Sequence, residues 1–213
     1  MSFRRGCRSG EGETVDSRWS AGSSVRRRGP ELERAILDAA LEQLSTVGWN
    51  ALTMEGVAAG AQTGKASLYR RWASKADLVD EALRTGLPQI GEIGDRGSIR
   101  EDLRLLCVRM RDVMHSRAGQ ALRSVLHECD PVHAERFHGV ILSGVHEPAQ
   151  VLIRELICRG MERGDVRPDA TGPFVVDVIP AMLMYRAKVC GSEWVDAEIA
   201  ELIDGVMVPL LRV

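Results

Sequence analysis

Apolar side chains recur every three or four positions along most of this chain, a spacing that predicts helices rather than strands. The first amphipathic segment begins at Pro30, which suits the first position of a helix, and Gly48 is expected to end it. Short helices are predicted over about 54–59 and 65–71. Ser74 then has the character of a cap that begins a longer helix. Two short helices joined by a tight turn and braced by a longer helix indicate a helix-turn-helix unit.

The rest of the chain shows the same periodicity in several further segments, which glycine and proline interrupt. Residues 173–189 are apolar on nearly every side, and such a helix must be buried, often between subunits. A last helix is predicted over about 195–211. Pro180 and Pro209 should kink or end these two helices. No strand pattern and no internal repeat is evident, so the predicted fold class is all-α.

Charge is distributed unevenly along the 213 residues, whose formal net charge is −2. Residues 1–29 hold seven arginines against three acidic residues, whereas residues 86–213 hold 15 basic and 19 acidic residues. This distribution argues against nonspecific coating of nucleic acid but is compatible with a local basic face. Residues 1–29 lack apolar periodicity and are predicted to be a disordered basic arm. They are either a solvated tail, including an upstream start that is not the true one, or an arm that reaches DNA.

Several classes of protein are excluded by simple patterns. No run of 18 uncharged apolar residues is present, so no transmembrane helix is expected. The first residues lack the apolar region of a secretory signal. The cysteines are odd in number and widely spaced, which is typical of reduced thiols in a cytoplasmic protein rather than of a disulfide framework. They are Cys7, Cys107, Cys129, Cys158 and Cys190.

One segment closely resembles the recognition segment of TetR-family regulators. It reads Ala61-Gln62-Thr63-Gly64-Lys65-Ala66-Ser67-Leu68-Tyr69-Arg70-Arg71-Trp72-Ala73-Ser74-Lys75. The family shows a small-residue turn, a short helix ending in Leu-Tyr, two polar residues and an aromatic, and then Ser-Lys. The resemblance covers residues of about 31–84, and the later chain is similar only in helix number, helix length and the turn at 164–168. The family often has glycine where Gln62 stands. The neighbouring Gly60 or Gly64 is therefore expected to adopt the positive φ that the turn requires.

The resemblance implies a domain organisation and partners. It implies a three-helix DNA-binding domain over 30–75 and a helical ligand-binding and dimerisation domain over 76–213. The last two helices, about 171–211, would form a homodimer interface, and the helical body would enclose a pocket for a small molecule. No cofactor and no membrane association are expected.

The resemblance also assigns roles to residues of the recognition segment. Thr53 and Lys75 would contact phosphates, and each begins a helix whose N-terminus attracts anions. Tyr69 would reach a phosphate through its hydroxyl group. Lys65, Ser67 and Arg70 lie on the outward side of the short helix and are candidates for the major groove. The DNA-binding set is predicted to be Thr53, Thr63, Gly64, Lys65, Ser67, Tyr69, Arg70 and Lys75.

Each of these assignments has a structural alternative. Lys75 could be an ordinary surface lysine, Tyr69 a half-buried packing residue, and Arg70 or Arg71 a solvated charge. Soft apolar residues of the C-terminal part could line a ligand pocket or simply fill the core. These residues are Cys107, Met110, Met114, Leu122, Leu126, Cys158 and Met161.

A cluster of histidines around one cysteine offers a different chemistry. His127, Cys129, His133 and His138 are residue types that ligate zinc or copper, but their spacing matches no standard site. Because of this spacing, no resident metal is expected. No glycine-rich phosphate loop or nucleophile elbow appears, so no enzymatic activity is expected.

The leading hypothesis is a ligand-responsive repressor that binds a palindromic operator as a homodimer, with recognition helices about 34–36 Å apart. One alternative is a regulator that responds to a metal ion or an oxidant through Cys129 and the nearby histidines. A second alternative is a small-molecule-binding helical protein or enzyme whose helix-turn-helix is vestigial.

Overall fold

The computed structural model describes residues 28–212 of the chain. This part of the chain is helical and contains no strand, so the predicted all-α fold is confirmed. A single cluster of buried apolar residues runs through it from Leu32 to Leu211. Two short π-helical turns, Leu142–His146 and Ile203–Met207, interrupt the α-helices. The helices are α1 Pro30–Ala51, α2 Met54–Gly60, α3 Lys65–Tyr69, α4 Lys75–Gly86, α5 Ile99–His115, α6 Arg117–Glu128, α7 Pro131–Ile141, α8 Glu147–Arg163, α9 Pro173–Val189, α10 Asp196–Leu202 and α11 Val208–Leu211.

Polar side chains cap the starts of α2 and α4. The side chain of Thr53 accepts a hydrogen bond from the backbone N–H of Gly56 at 3.1 Å and so begins α2. Ser74 accepts from Asp77 N–H at 3.2 Å at the start of α4. These bonds satisfy backbone N–H groups that a helix N-terminus otherwise leaves unpaired. The starts of α2 and α4 therefore lie where the sequence predicted them.

The turn between α2 and α3 departs from expectation. Gln62 itself adopts the left-handed conformation, with φ of 55°, while Gly64 has φ of −86° and Gly60 ends α2. The expectation that a neighbouring glycine would absorb the turn is therefore wrong. A left-handed conformation costs a side-chain-bearing residue about 1–2 kcal/mol, so the turn carries strain that glycine would avoid.

Helix α1 contains a break at Gly48, whose φ and ψ are 77° and 178°. This backbone conformation is accessible almost only to glycine. The sequence predicted that Gly48 ends the helix, and the structure adds a further helical turn that reaches Ala51. The break directs Trp49 back into the core, where its ring lies 5.2 Å from that of Phe137 and 5.3 Å from that of His133.

Both π-helical turns precede a proline and share one cause. Proline lacks the N–H that would bond to the carbonyl four residues earlier, and its ring collides with that carbonyl. In each case that earlier residue is a glycine, Gly144 before Pro148 and Gly205 before Pro209. In a π turn the N–H groups bond to the carbonyl five residues earlier instead of four. This pattern before each proline avoids the collision between the proline ring and the carbonyl. Pro209 disrupts its helix as expected, whereas α9 continues through Pro180.

The helix-turn-helix unit is not separate from the helical body. Helix α1 packs along α6, and α4 contacts α1, α6 and α7. We call this surface, where α1 and α4 meet α6 and α7, the seam. None of the described helices is long and apolar enough to cross a bilayer.

Candidate nucleic-acid interface and ligand cavity

The inward side of α3 is fixed by Leu68, which is fully buried. An α-helix advances about 100° per residue, so Ala66 and Arg70 point almost directly away from Leu68. Tyr69 and Ser67 then lie on the two flanks. Tyr69 is 52 % exposed, so about half of its surface packs on the protein and the rest is accessible. Residues 28–212 therefore leave the outward surface of α3 open to a partner.

Arg70 and Arg71 are adjacent but differ in what they contact. Arg71 turns back onto the protein, where Nη1 donates to the carbonyl of Ser67 at 3.3 Å and Nε lies 3.5 Å from Glu33. Arg70 is exposed and forms no ion pair with a described residue. Arg70 can thus offer its guanidinium to a base edge, whereas Arg71 is already engaged in the fold.

Lys65 forms an ion pair that the sequence did not reveal. Its Nζ lies 2.6 Å from Glu55, and both side chains are more than half exposed. The hydrogen bond from Lys65 lowers the pKa of Glu55, so the carboxyl remains ionised. Exposed ion pairs contribute little net stability, so an acceptor on DNA can replace Glu55 as the partner of Lys65 at small cost.

Lys75 is held against the end of α1. Its Nζ donates to the carbonyl of Trp49 at 3.0 Å and lies 4.3 Å above the centre of the Trp49 ring. Lys75 is therefore neither an ordinary surface lysine nor a freely swinging one. A lysine has three N–H donors, so one bond to Trp49 leaves others available to a phosphate.

The remaining predicted contacts lie at helix starts and in the turn before α3. Gly64 caps α3, and nothing lies within 4 Å of the position that a Cβ there would occupy. Thr53 is exposed, although its hydroxyl oxygen already serves as the cap of α2. Thr63 is half-buried in the turn. The structure thus groups the predicted set on α2, α3 and the start of α4, and its contact with DNA stays a prediction.

A cavity of about 420 Å³ opens in the helical body between α5, α6, α7 and α9. This volume falls in the range of small-molecule sites, about 300–1,000 Å³. Of the seven predicted pocket residues, Met110, Met114 and Leu126 line it. The other lining residues are Arg111, His115, Arg123, His127, His138, Ile141, Val145, His146, Pro180, Leu183, Met184, Ala187, Lys188, Ser192 and Trp194.

The other four predicted pocket residues lie elsewhere. Cys107 and Leu122 are fully buried in the core, because the apolar side of each helix extends beyond the cavity. Met161 packs on the core from its edge, and Cys158 is exposed. Burial raises the pKa of the Cys107 thiol to about 12, so this thiol stays protonated and is a poor nucleophile.

The histidines around Cys129 do not converge on a metal. The described residues contain no group of three or more His, Cys, Asp or Glu side chains that could hold an ion. His133 instead bonds to Asp130 at 2.8 Å, whereas His127 and His138 face the cavity. Burial raises the pKa of Cys129, which disfavours its reactive thiolate. The geometry gives no support to a metal or redox trigger at this cluster.

Polar contacts across the seam join the candidate DNA-binding surface to the helices around the cavity. Glu128, at the end of α6, accepts the backbone N–H of Asn50 at 3.1 Å. That bond lowers the pKa of Glu128 and keeps its carboxylate charged. Arg136 of α7 donates to Asp77 of α4 at 2.8 Å. Residue spacing cannot reveal these bonds, because their partners are 59 and 78 positions apart.

The comparisons with known proteins agree with this architecture. The model of bacterial regulatory proteins of the tetR family matches residues 36–82, and a tetracyclin repressor-like C-terminal domain matches residues 93–206. A DNA-binding transcriptional repressor TetR of Mycobacteroides abscessus is 31% identical over 190 residues, which cover 87% of this chain and 96% of that protein. An uncharacterised HTH-type transcriptional regulator of Mycobacterium tuberculosis is 29% identical over 182 residues, which cover 84% of this chain and 87% of that protein.

A solved structure shows the same fold. The crystal structure of a Mesorhizobium loti protein assigned to the TetR-family transcriptional regulators superposes with a TM-score of 0.63 at 16% identity, covering 86% of this chain and 96% of that one. The helices and the matched domains define a helix-turn-helix transcriptional regulator. The chain belongs to the TetR family.

Proposed function

We propose that this regulator binds a palindromic operator as a homodimer, represses transcription there, and is released when a small molecule occupies the cavity. The observation that carries the proposal is the outward side of α3, where Arg70 stands exposed and unpaired among the described residues. The proposed DNA-contacting residues are those predicted from the sequence, and the proposed domains are 30–75 and 76–213. A ligand favours release only to the extent that it binds the released state more tightly.

The direct test is selection of bound sequences from random duplex DNA with the purified protein. We expect a palindromic site with half-sites about one helical turn apart and an affinity that falls steeply with salt. Enrichment of no sequence by the ligand-free protein would refute operator binding. A bound site without two-fold symmetry would refute the homodimer arrangement.

Replacing Arg70 by alanine should weaken operator binding about tenfold to a hundredfold, because bidentate contacts to guanine contribute about 1–3 kcal/mol of discrimination. Arg71→Ala is the matched control, since Arg71 contacts Glu33 and Ser67 instead. Titration of labelled operator by fluorescence anisotropy measures both variants, and circular dichroism checks their folding. Equal losses in the two variants would contradict the assignment of Arg70 to the major groove.

The proposed dimer interface is supported by the exposed apolar residues of α9. Phe174 is 85 % exposed and Tyr185 54 % exposed, and Met182 and Val189 are exposed as well. With about 100° per residue, these four side chains fall within one arc of about 80°. A contiguous apolar patch of this kind is rarely left in water and marks an interaction surface. A second copy of the same helix is its natural partner in a symmetric pair.

Substituting Met182 and Tyr185 together by glutamate should convert the dimer to a monomer, because the charges would be buried without partners. The dimer dissociation constant should rise at least about tenfold, as sedimentation velocity would show. Val132→Glu is the control, since Val132 is 81 % exposed on α7 and lies outside the proposed interface. Sedimentation of the double variant as an unchanged dimer would place the interface elsewhere.

A further inference from the structure

The cavity combines an apolar interior with basic side chains. The chain has five histidines, and four of them line this cavity. Two arginines and a lysine line it too, whereas no described lining residue is acidic. The basic residues come from α5, α6, α7, the first π turn and α9 and are Arg111, His115, Arg123, His127, His138, His146 and Lys188.

Two of these basic groups already have acidic neighbours. Arg111 contacts Asp196 at 2.5 Å and Asp112 at 3.3 Å, and His115 lies 3.1 Å from Glu193. The Arg111 charge is thus already paired and the His115 ring already contacts a carboxylate, so neither group is needed for a ligand.

Arg123 and Lys188 remain without a counter-charge. Neither forms an ion pair with a described residue. Arg123 is half-buried, and its Nη1 donates to the carbonyl of Met114 at 2.6 Å, which fixes the guanidinium at the wall between α5 and α6. Four further guanidinium N–H groups can therefore serve a ligand. Lys188 lines the same cavity from α9 and adds positive potential.

The physics of the cavity selects the charge of its occupant. A partly buried cation beside apolar side chains costs free energy unless an anion accompanies it. Clefts lined by charges of one sign concentrate ligands of the opposite sign. A cationic ligand would meet like charges, and a neutral one would leave Arg123 unpaired.

We propose that the cavity binds an amphipathic anion, with an apolar body against Met110, Met114 and Leu126 and one acidic group on Arg123. The inference rests on the proposed function in one respect, namely that this cavity is the effector site. The methionine lining adapts to irregular surfaces and therefore accepts apolar bodies of different shapes.

A matched pair of fluorescent probes tests the charge requirement. 8-Anilinonaphthalene-1-sulfonate and N-phenyl-1-naphthylamine share one aromatic framework, and only the first carries an anionic group. Both emit strongly when they leave water for an apolar site. In the full-length protein, we expect the sulfonate to bind at least about tenfold more tightly than the neutral probe, the size expected for a charge-assisted bond. Equal affinities, tighter binding of the neutral probe, or no binding of either would overturn the proposal.

Variants locate the probe and its charge partner. Arg123→Met and Lys188→Met should each weaken sulfonate binding and leave the neutral probe unaffected, whereas Arg123→Lys should restore most of the preference. Arg154→Met is the control, because Arg154 is exposed on α8 outside the cavity. Ile141→Trp fills the cavity and should abolish binding of both probes. The assignment would be overturned if sulfonate binding survived Ile141→Trp, or if it were unchanged in both Arg123→Met and Lys188→Met.

The failure of this inference and the failure of the proposed function can be told apart. Operator selection uses the ligand-free protein and does not depend on the probes. A selected operator with no anion preference in the cavity would reject the ligand class alone. An anion preference without a selected operator would reject operator binding and leave the ligand class in place.

Discussion

Gly48→Ala should lower the free energy of unfolding by about 2–3 kcal/mol, because it forces a side chain into a backbone conformation that alanine avoids. The φ of 77° with ψ of 178° is one cause. The second is steric, since a Cβ there would lie 2.9 Å from the Cδ of Glu128 and closer still to its Oε1. The carboxylate would have to move and would release the N–H of Asn50. Thermal or chemical denaturation measures the loss.

A control and a second substitution separate the two causes. Gly205→Ala should leave the free energy of unfolding unchanged or slightly higher, since nothing lies within 4 Å of its Cβ position and its φ is not positive. Adding Glu128→Ala to Gly48→Ala should recover only the steric part of the loss. If Gly48→Ala proved as harmless as Gly205→Ala, the break in α1 would not be the fixed feature described above.

Arg163→Met should be the most destabilising change at a charged residue, with a loss of about 3–5 kcal/mol, the cost of leaving a buried charge uncompensated. Asp102 is fully buried in the first turn of α5, and Arg163 donates to it at 3.1 Å. Without Arg163, the nearest remaining guanidinium is that of Arg159 at 3.9 Å. Asp102 also accepts the N–H of Arg96 at 2.8 Å, so the loop before α5 should loosen.

The matched control lies at the surface. Arg100 pairs with Asp204 at 2.6 Å, but both side chains are nearly half exposed, so Arg100→Met should leave stability almost unchanged. Asp102→Asn in the Arg163→Met background should recover part of the loss, because it removes the unpaired charge. Equal melting temperatures for the Arg163→Met and Arg100→Met variants would show that the burial of Asp102 does not decide the outcome.

The parts of the structure that the sequence predicted correctly depend on local chemistry. Thr53 and Ser74 each cap a helix with a bond to a residue three positions away. The capping residue and its partner therefore fall in one short stretch of sequence and can be recognised together. Gln62 shows the limit of such local rules. Resemblance located the turn, but strain fell on Gln62 rather than on the glycines beside it.

The parts that the sequence missed depend on contacts between distant segments. The hydrogen bond from Lys75 to Trp49 joins residues 26 positions apart, and the local sequence around neither residue predicts it. The cavity presents the same difficulty in another form. Cys107 and Met110 share the apolar side of α5, yet only Met110 reaches the cavity. Periodicity shows which side of a helix is apolar, but not which part of that side faces empty space.

The positions of two tryptophans give the molecule its own optical reporters. Trp194 borders the cavity, with its indole N–H bonded to the carbonyl of Leu183 at 3.1 Å, so an occupant should perturb its emission directly. Trp49 lies at the seam, between Lys75 and Phe137, and senses the cavity only if the seam rearranges. In stopped-flow mixing, the order of the two signals would show whether rearrangement follows ligand capture or precedes it.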